Sequence, residues 1–203
     1  MLNRIKKDLH AMMNGVLAQQ LRERGLRYRI IYGVELPRLE AYAKELQVEV
    51  PDVQVRYDLA LQLWKTETRE CRLLASMLMP PEKMLPEVAD IWVEQTHTQE
   101  EVACCVRFLY SAAPFASQKA FEWMAAEEEM TQTCGFLLAA RLLREGRTPA
   151  PRDEAELIDQ AASSLASPNL VLKKAAYNAL LAVSDLGLRQ QRVVDSVLAR
   201  QGL

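Results

Sequence analysis

Apolar residues recur at helical spacing along nearly the whole chain, and no segment alternates apolar and polar positions strictly enough for a half-buried strand. Four stretches, residues 72–78, 102–109, 135–142 and 174–181, repeat one pattern of apolar residues with small ones inserted. Successive copies start some 30 to 40 residues apart. Degenerate repetition at a period of roughly 30–45 residues is how a stack of helix pairs is written in sequence. No such unit buries its apolar face alone, so neighbours must stack. The pattern predicts an all-α protein, an α-α superhelix or solenoid.

The predicted elements begin with an amphipathic helix over residues 2–24, apolar at Leu2, Ile5, Leu9, Met12, Met13, Val16 and Leu17. The run Tyr32-Gly33-Val34-Glu35-Leu36-Pro37 breaks the period, with Pro37 suited to the first turn of a new helix. Helices are then expected at 37–47, 55–65, 67–79, 82–94, 98–111, 114–125, 127–145, 153–166, 169–184 and 187–200. Prolines at 80, 81, 114, 149, 151 and 168 punctuate the series. Ser167-Pro168 reads as an N-cap followed by proline. Residues 134–143 are apolar almost all round, which calls for a helix with neighbours on several sides. The polar link over 145–153 does not interrupt the repeat. The expectation is a single repeat domain over 1–203, with an N-terminal helix in 1–30 and stacked helix pairs in 31–203.

Half of the 203 residues are hydrophobic, enough for a sizeable core, and the formal charge is −2. That charge supplies no bulk attraction to nucleic acid or an anionic membrane, although it permits a local basic face. Cations gather at Arg22, Arg24, Arg27 and Arg29, at Lys65, Arg69 and Arg72, at Arg141, Arg144 and Arg147, and at Lys173 and Lys174. A solvated helix face is the plain alternative for each group. Cys71, Cys104, Cys105 and Cys134 lie within apolar helical patterns, not at the spacing of a disulfide framework, and read as buried thiols. With no CxxC and only His10 and His97 as histidines, neither a metal nor another cofactor is implied. No signal-peptide pattern opens the chain and no run approaches 18 apolar residues, so a soluble cytoplasmic protein is expected.

The order of special residues carries a resemblance. Gly33-Val34-x-x-Pro37-x-Leu39-x-Ala41, then Leu59-Ala60-x-x-Leu63-Trp64-x-Thr66, then Glu70-x-Arg72-x-Leu74-Ala75, resembles the DNA alkylation repair family of AlkD-like proteins. Ser167-x-x-x-x-x-Lys173-Lys174-Ala175 is similar to that family's last repeat, and the likeness spans roughly residues 28 to 200. It implies curved stacks of HEAT-like helix pairs whose concave face holds duplex DNA. Some members excise cationic alkylated purines without drawing the base into a pocket. In those, the resemblance implies an Asp four residues after a Trp beside the departing base's sugar, an Arg one repeat later on the DNA backbone, and an aromatic against the sugar. A carboxylate beside a developing sugar cation is a sound way to promote departure of a base that is already a good leaving group.

This sequence departs from the pattern at those positions. Read by order after Ile91-Trp92-Val93, the family's Trp falls on Thr98, its Asp on Val102, its Arg on Thr133, and its late aromatic on Asn178 beside Tyr177. One shift of register offers His97-x-x-x-Glu101, an i,i+4 pair, with Glu101 as a candidate catalytic carboxylate and Glu100 beside it. The alternative is that both acids simply favour a helix N-terminus. Trp64, Trp92 and Trp123 occupy apolar helical positions and read as core.

No Gly-rich phosphate loop, Gly-x-Ser-x-Gly elbow or His-Glu-x-x-His occurs. Three readings therefore stay open. The first is a DNA-binding protein with base excision reduced or lost, holding duplex or damaged DNA through Lys65, Arg69, Arg72, Lys173 and Lys174. The second is a scaffold for a protein ligand, since a fold does not fix a function. The third is an active alkylpurine glycosylase using Glu101.

Overall fold

Helix starts coincide with capping side chains and prolines. Asn14, Asp52, Thr98, Glu128 and Asn169 each accept a hydrogen bond from a backbone N–H in the first turn that follows, satisfying donors that have no partner inside the helix. Pro37, Pro86 and Pro151 sit in the first turn of their helices, where a missing N–H costs nothing. In a computed structural model, residues 1–202 are described. Their regular structure is twelve α-helices and two 3-10 turns, Pro81–Lys83 and Tyr110–Ala112. Contacts gather into two compact units, Met1–Met84 and Leu85–Leu203.

The first unit holds α1 (Leu2–Ala11), α2 (Gly15–Glu23), α3 (Leu36–Glu49), α4 (Val53–Trp64) and α5 (Arg69–Leu78). The single helix expected over residues 2–24 is two. Asn14 accepts from Leu17 N at 3.1 Å with its side chain and donates its own N–H to the Tyr32 carbonyl at 3.0 Å, so the chain leaves the first axis and starts a second. Helix α5 packs against α3 and α4, and α1, whose Ile5 and Leu9 are buried, lies on α4. The far edge of α1 is tied to α3: Arg4 pairs with Glu49, and the Tyr42 hydroxyl donates to Asp8 at 2.6 Å.

Between α2 and α3 the chain is held by a buried carboxylate. Glu70 accepts from the backbone N–H groups of Tyr32, Gly33 and Val34 at 3.0, 2.9 and 3.3 Å. Its neighbour Arg69 pairs with it at 2.8 Å and donates to the Val34 carbonyl at 3.1 Å. Gly33 turns there with φ +75°, and a Cβ on it would lie 2.2 Å from the Asn14 carbonyl oxygen and 2.6 Å from Ala18 N. Only glycine fits this approach.

The second unit holds α6 (Pro86–Glu94), α7 (Gln99–Phe108), α8 (Ala116–Met124), α9 (Glu129–Arg144), α10 (Pro151–Ser164), α11 (Leu170–Ser184) and α12 (Leu188–Arg200). As its all-round apolar pattern requires, α9 is the hub, packed against α6, α7, α8 and α11. It meets α8 backbone to backbone at Gly135, where a Cβ would lie 2.4 Å from Met124 N. Asp90 on α6 reaches α8 twice, accepting from Trp123 Nε1 and Lys119 Nζ at 2.8 Å each. The cap of α11 is Asn169 rather than Ser167. The Asn169 amide also donates to Glu129 at 2.7 Å, which ties the α10–α11 turn to the start of α9.

Replacing Glu70 by Gln removes a buried negative charge that pairs with the buried Arg69. Breaking a buried pair from one side costs about 3–5 kcal/mol. Urea denaturation followed by circular dichroism should show a loss of that order for Glu70→Gln, and an unchanged transition would refute the clamp's importance.

Candidate nucleic-acid interface

The positions that the resemblance assigns to chemistry are built into the second unit's frame. Thr98 caps α7, its hydroxyl accepting from Glu101 N at 3.2 Å. Val102 is core, and Thr133 is buried with its hydroxyl donating to the Glu129 carbonyl at 2.8 Å. Asn178 and Tyr177 are half-buried on α11, and the Asn178 carbonyl accepts from Arg144. Glu101, the candidate catalytic carboxylate, is 1 % exposed, and its Oε2 accepts from His97 N at 3.2 Å. A side chain buried beneath its own helix start holds the 96–98 turn and offers no carboxylate to a sugar outside. His97 precedes the cap of α7 and does not share a helix face with Glu101; it is His97's backbone N–H that Glu101 meets.

The cationic candidates divide in the same way. Arg69 is 3 % exposed and spent on Glu70 and Val34, so it is withdrawn as a phosphate contact. Arg72 is half-buried, with its guanidinium 4.2 Å from the Trp64 ring centroid, a packing contact of appreciable strength once desolvated. Trp64, Trp92 and Trp123 are all buried. In the second unit, Lys173 and Lys174 begin α11, the first half-buried and the second exposed. Arg141 pairs with Glu145, and Arg147 donates to the Ser111 carbonyl at 2.8 Å. Burial alone would lower the Lys119 ammonium, but the hydrogen bonds it donates to Asp90 and Glu122 raise it overall, so its charge is neutralised locally.

Lys65 remains, and the fold gives it company. Ile30 N donates to the Glu67 carbonyl at 3.2 Å and Arg69 N to the Ile30 carbonyl at 3.1 Å, an isolated parallel bridge between Ile30 and Thr68. That bridge sets Arg29 beside the α4–α5 turn. Lys6 of α1 completes an open recess of about 580 Å³ lined by Lys6, Arg29, Ile30, Lys65, Thr66, Glu67 and Thr68. A second recess of about 320 Å³, lined by Lys6, Lys7, His10 and Tyr32, shares Lys6 with the first. Four permanent cations and one carboxylate thus line a continuous surface on the first unit. Burial, with Cys71 and Glu70 nearby, pushes the Tyr32 phenol up, so it stays a neutral ring at physiological pH. Sequence reasoning missed Lys6 and Lys7. They occupy the polar stripe of an amphipathic helix, and only the chain's return at Arg29 shows which cations share that face.

The four cysteines are buried, and burial pushes the thiols of Cys71, Cys105 and Cys134 up. Among the described residues no group of three or more His, Cys, Asp or Glu could hold a metal ion, and no helix is long and apolar enough to cross a membrane.

The sequence matches the family described as DNA alkylation repair enzyme over residues 5–199. The chain belongs to that family. A solved structure described as a new family of proteins related to the HEAT-like repeat DNA glycosylases, with affinity for branched DNA structures, superposes with a TM-score of 0.82. The match has 16 % identity and covers 96 % of this chain and 80 % of that one. No curated protein sequence matches significantly. This DNA alkylation repair family member is therefore an all-α, HEAT-like repeat solenoid, as its periodicity predicts.

Two outcomes test the frame of this family member. Glu101→Gln should lower stability by about 1.5–3 kcal/mol, the range for a hydrogen bond to a charged group, measured by thermal or urea unfolding. The four thiols should ignore Ellman's reagent at pH 8 in the folded protein and all react in denaturant. Unfolded thiols ionise from about pH 8.5, while burial keeps the protons on Cys71, Cys105 and Cys134 in the folded chain. The unfolded state then binds fewer protons, and stability should fall as pH rises past that point.

Proposed function

We propose that this protein binds duplex or branched DNA through the cationic surface of its first unit and does not excise bases. The observation that carries the reading is the convergence of Lys6, Arg29 and Lys65 on one open recess, with Lys7 in the adjoining one. Phosphate contacts require only cations and backbone amides, so they do not depend on the positions held by Thr98, Val102 and Thr133. A chain of net charge −2 that sets four cations against one carboxylate on a single face has an electrostatic footprint for a polyanion. Membership of the DNA alkylation repair family, and the affinity of the superposable protein for branched DNA, support the same reading. Glycosylase chemistry through Glu101 is not proposed, because that carboxylate is buried.

Fluorescence anisotropy with labelled duplex and four-way junction DNA, titrated between roughly 50 and 200 mM salt, tests the proposal. The affinity should fall steeply with salt, by about 0.9 in log–log slope for each phosphate neutralised. Replacing both Lys6 and Lys65 by Gln should reduce that slope by about 2, and duplex carrying 7-methylguanine should release no base. Absence of binding at the lowest salt would overturn the DNA reading and leave a protein ligand.

A further inference from the structure

We propose that His10 and Tyr32 form a stacking platform for an unpaired nucleotide, so that this surface selects DNA with unpaired bases at a branch point over continuous duplex. The inference rests on the DNA-binding reading above and names the feature recognised.

The two rings meet edge to face, with centroids 6.0 Å apart and planes at 83°. Both line the 320 Å³ recess, and the cations beside them are Lys6 and Lys7. That volume lies at the lower end of the range for small-ligand sites, about 300–1,000 Å³. His10 is exposed and Tyr32 half-buried, so the rings are open to a ligand instead of being sealed in the core. Aromatic faces beside cations that track a backbone are how proteins hold unpaired nucleotides. A base inside a continuous duplex has both faces covered by its neighbours and cannot use such a platform.

The backbone that carries each ring is held before any ligand arrives. Tyr32 donates its N–H to Glu70 at 3.0 Å, and its carbonyl accepts from Asn14 N at 3.0 Å. The helix carrying His10 is pinned by the burial of Ile5 and Leu9 and by the Arg4–Glu49 and Asp8–Tyr42 contacts on its other edge. A platform already ordered loses little entropy on binding. The cations of the adjoining recess would take the phosphates of the paired arm, with Lys6 at the boundary between the two.

The test uses three labelled DNAs of equal length: a continuous duplex, a fully paired three-way junction, and that junction with two unpaired thymines at its centre. The wild-type protein should bind the last most tightly. Tyr32→Ala and His10→Ala should each reduce that preference by roughly 5- to 100-fold, the range for losing one base stack, and leave duplex affinity unchanged. Tyr32→Trp should keep it. A 2-aminopurine in place of an unpaired thymine should be quenched on binding to the wild-type chain, a readout that does not depend on any variant folding. Binding to all three DNAs without preference, or an equal loss on all three in Tyr32→Ala, would overturn the platform while leaving the DNA reading intact. Binding to none would overturn both.

Discussion

The first unit depends on one buried carboxylate. Glu70 gathers three successive backbone N–H groups, Tyr32 to Val34, and holds them against the start of its own helix. Arg69 neutralises it and closes the loop's far side through the Val34 carbonyl. A charge with no solvent access is tolerable only when fully paired and hydrogen-bonded, and this one is. The clamp has consequences in both directions along the chain. It fixes the Tyr32 backbone, whose carbonyl receives Asn14 and so marks the break between α1 and α2. It also presses Gly33 against the Asn14 carbonyl and Ala18, where no side chain fits. Through the neighbouring Ile30–Thr68 bridge the same segment brings Arg29 to Lys65. The cationic face is therefore a by-product of how a buried anion is satisfied.

That arrangement explains why counting cations along the sequence misleads. Arg69, Arg72 and Lys65 form one cluster in sequence but have three fates. The first neutralises a buried acid, the second stacks on Trp64, and only the third faces an open recess. The Arg69 charge is consumed inside the unit and offers little to a polyanion outside it, because a paired ion presents little net field. Conversely, Lys6 and Lys7 belong to no cluster with Lys65 in sequence, yet Lys6 shares its recess.

The architecture was legible because helical period and cap chemistry are local. The four apolar repeats, the proline starts and the all-round apolar face of α9 each translate directly into an element or a packing partner. The break at Asn14 was not legible. An apolar stripe that continues through Met12, Met13, Val16 and Leu17 says nothing about a side chain capping a new helix in its middle. Nor could Glu70's role be read, since its partners lie 36 to 38 residues away along the chain. The motif letters Gly33 and Glu70 served as marks of resemblance, and their physical meaning, glycine turn and carboxylate clamp, emerges only when both ends are in place.

The same distinction bears on the residues where chemistry is expected in this family. A surface carboxylate, an exposed guanidinium and an exposed ring are functional groups because the fold does not need them. At the matching positions here the fold does need what it has. Thr98 starts α7, Val102 fills core, and Thr133 bonds back to its own helix. Glu101, the one carboxylate nearby, secures the turn that leads into α7. Each of these groups is engaged by the protein itself. In the first unit Lys6, Lys7, Arg29 and Lys65 line open recesses and His10 and Tyr32 lie beside two of them, an arrangement that suits the proposed hold on a nucleic acid backbone and an unpaired base.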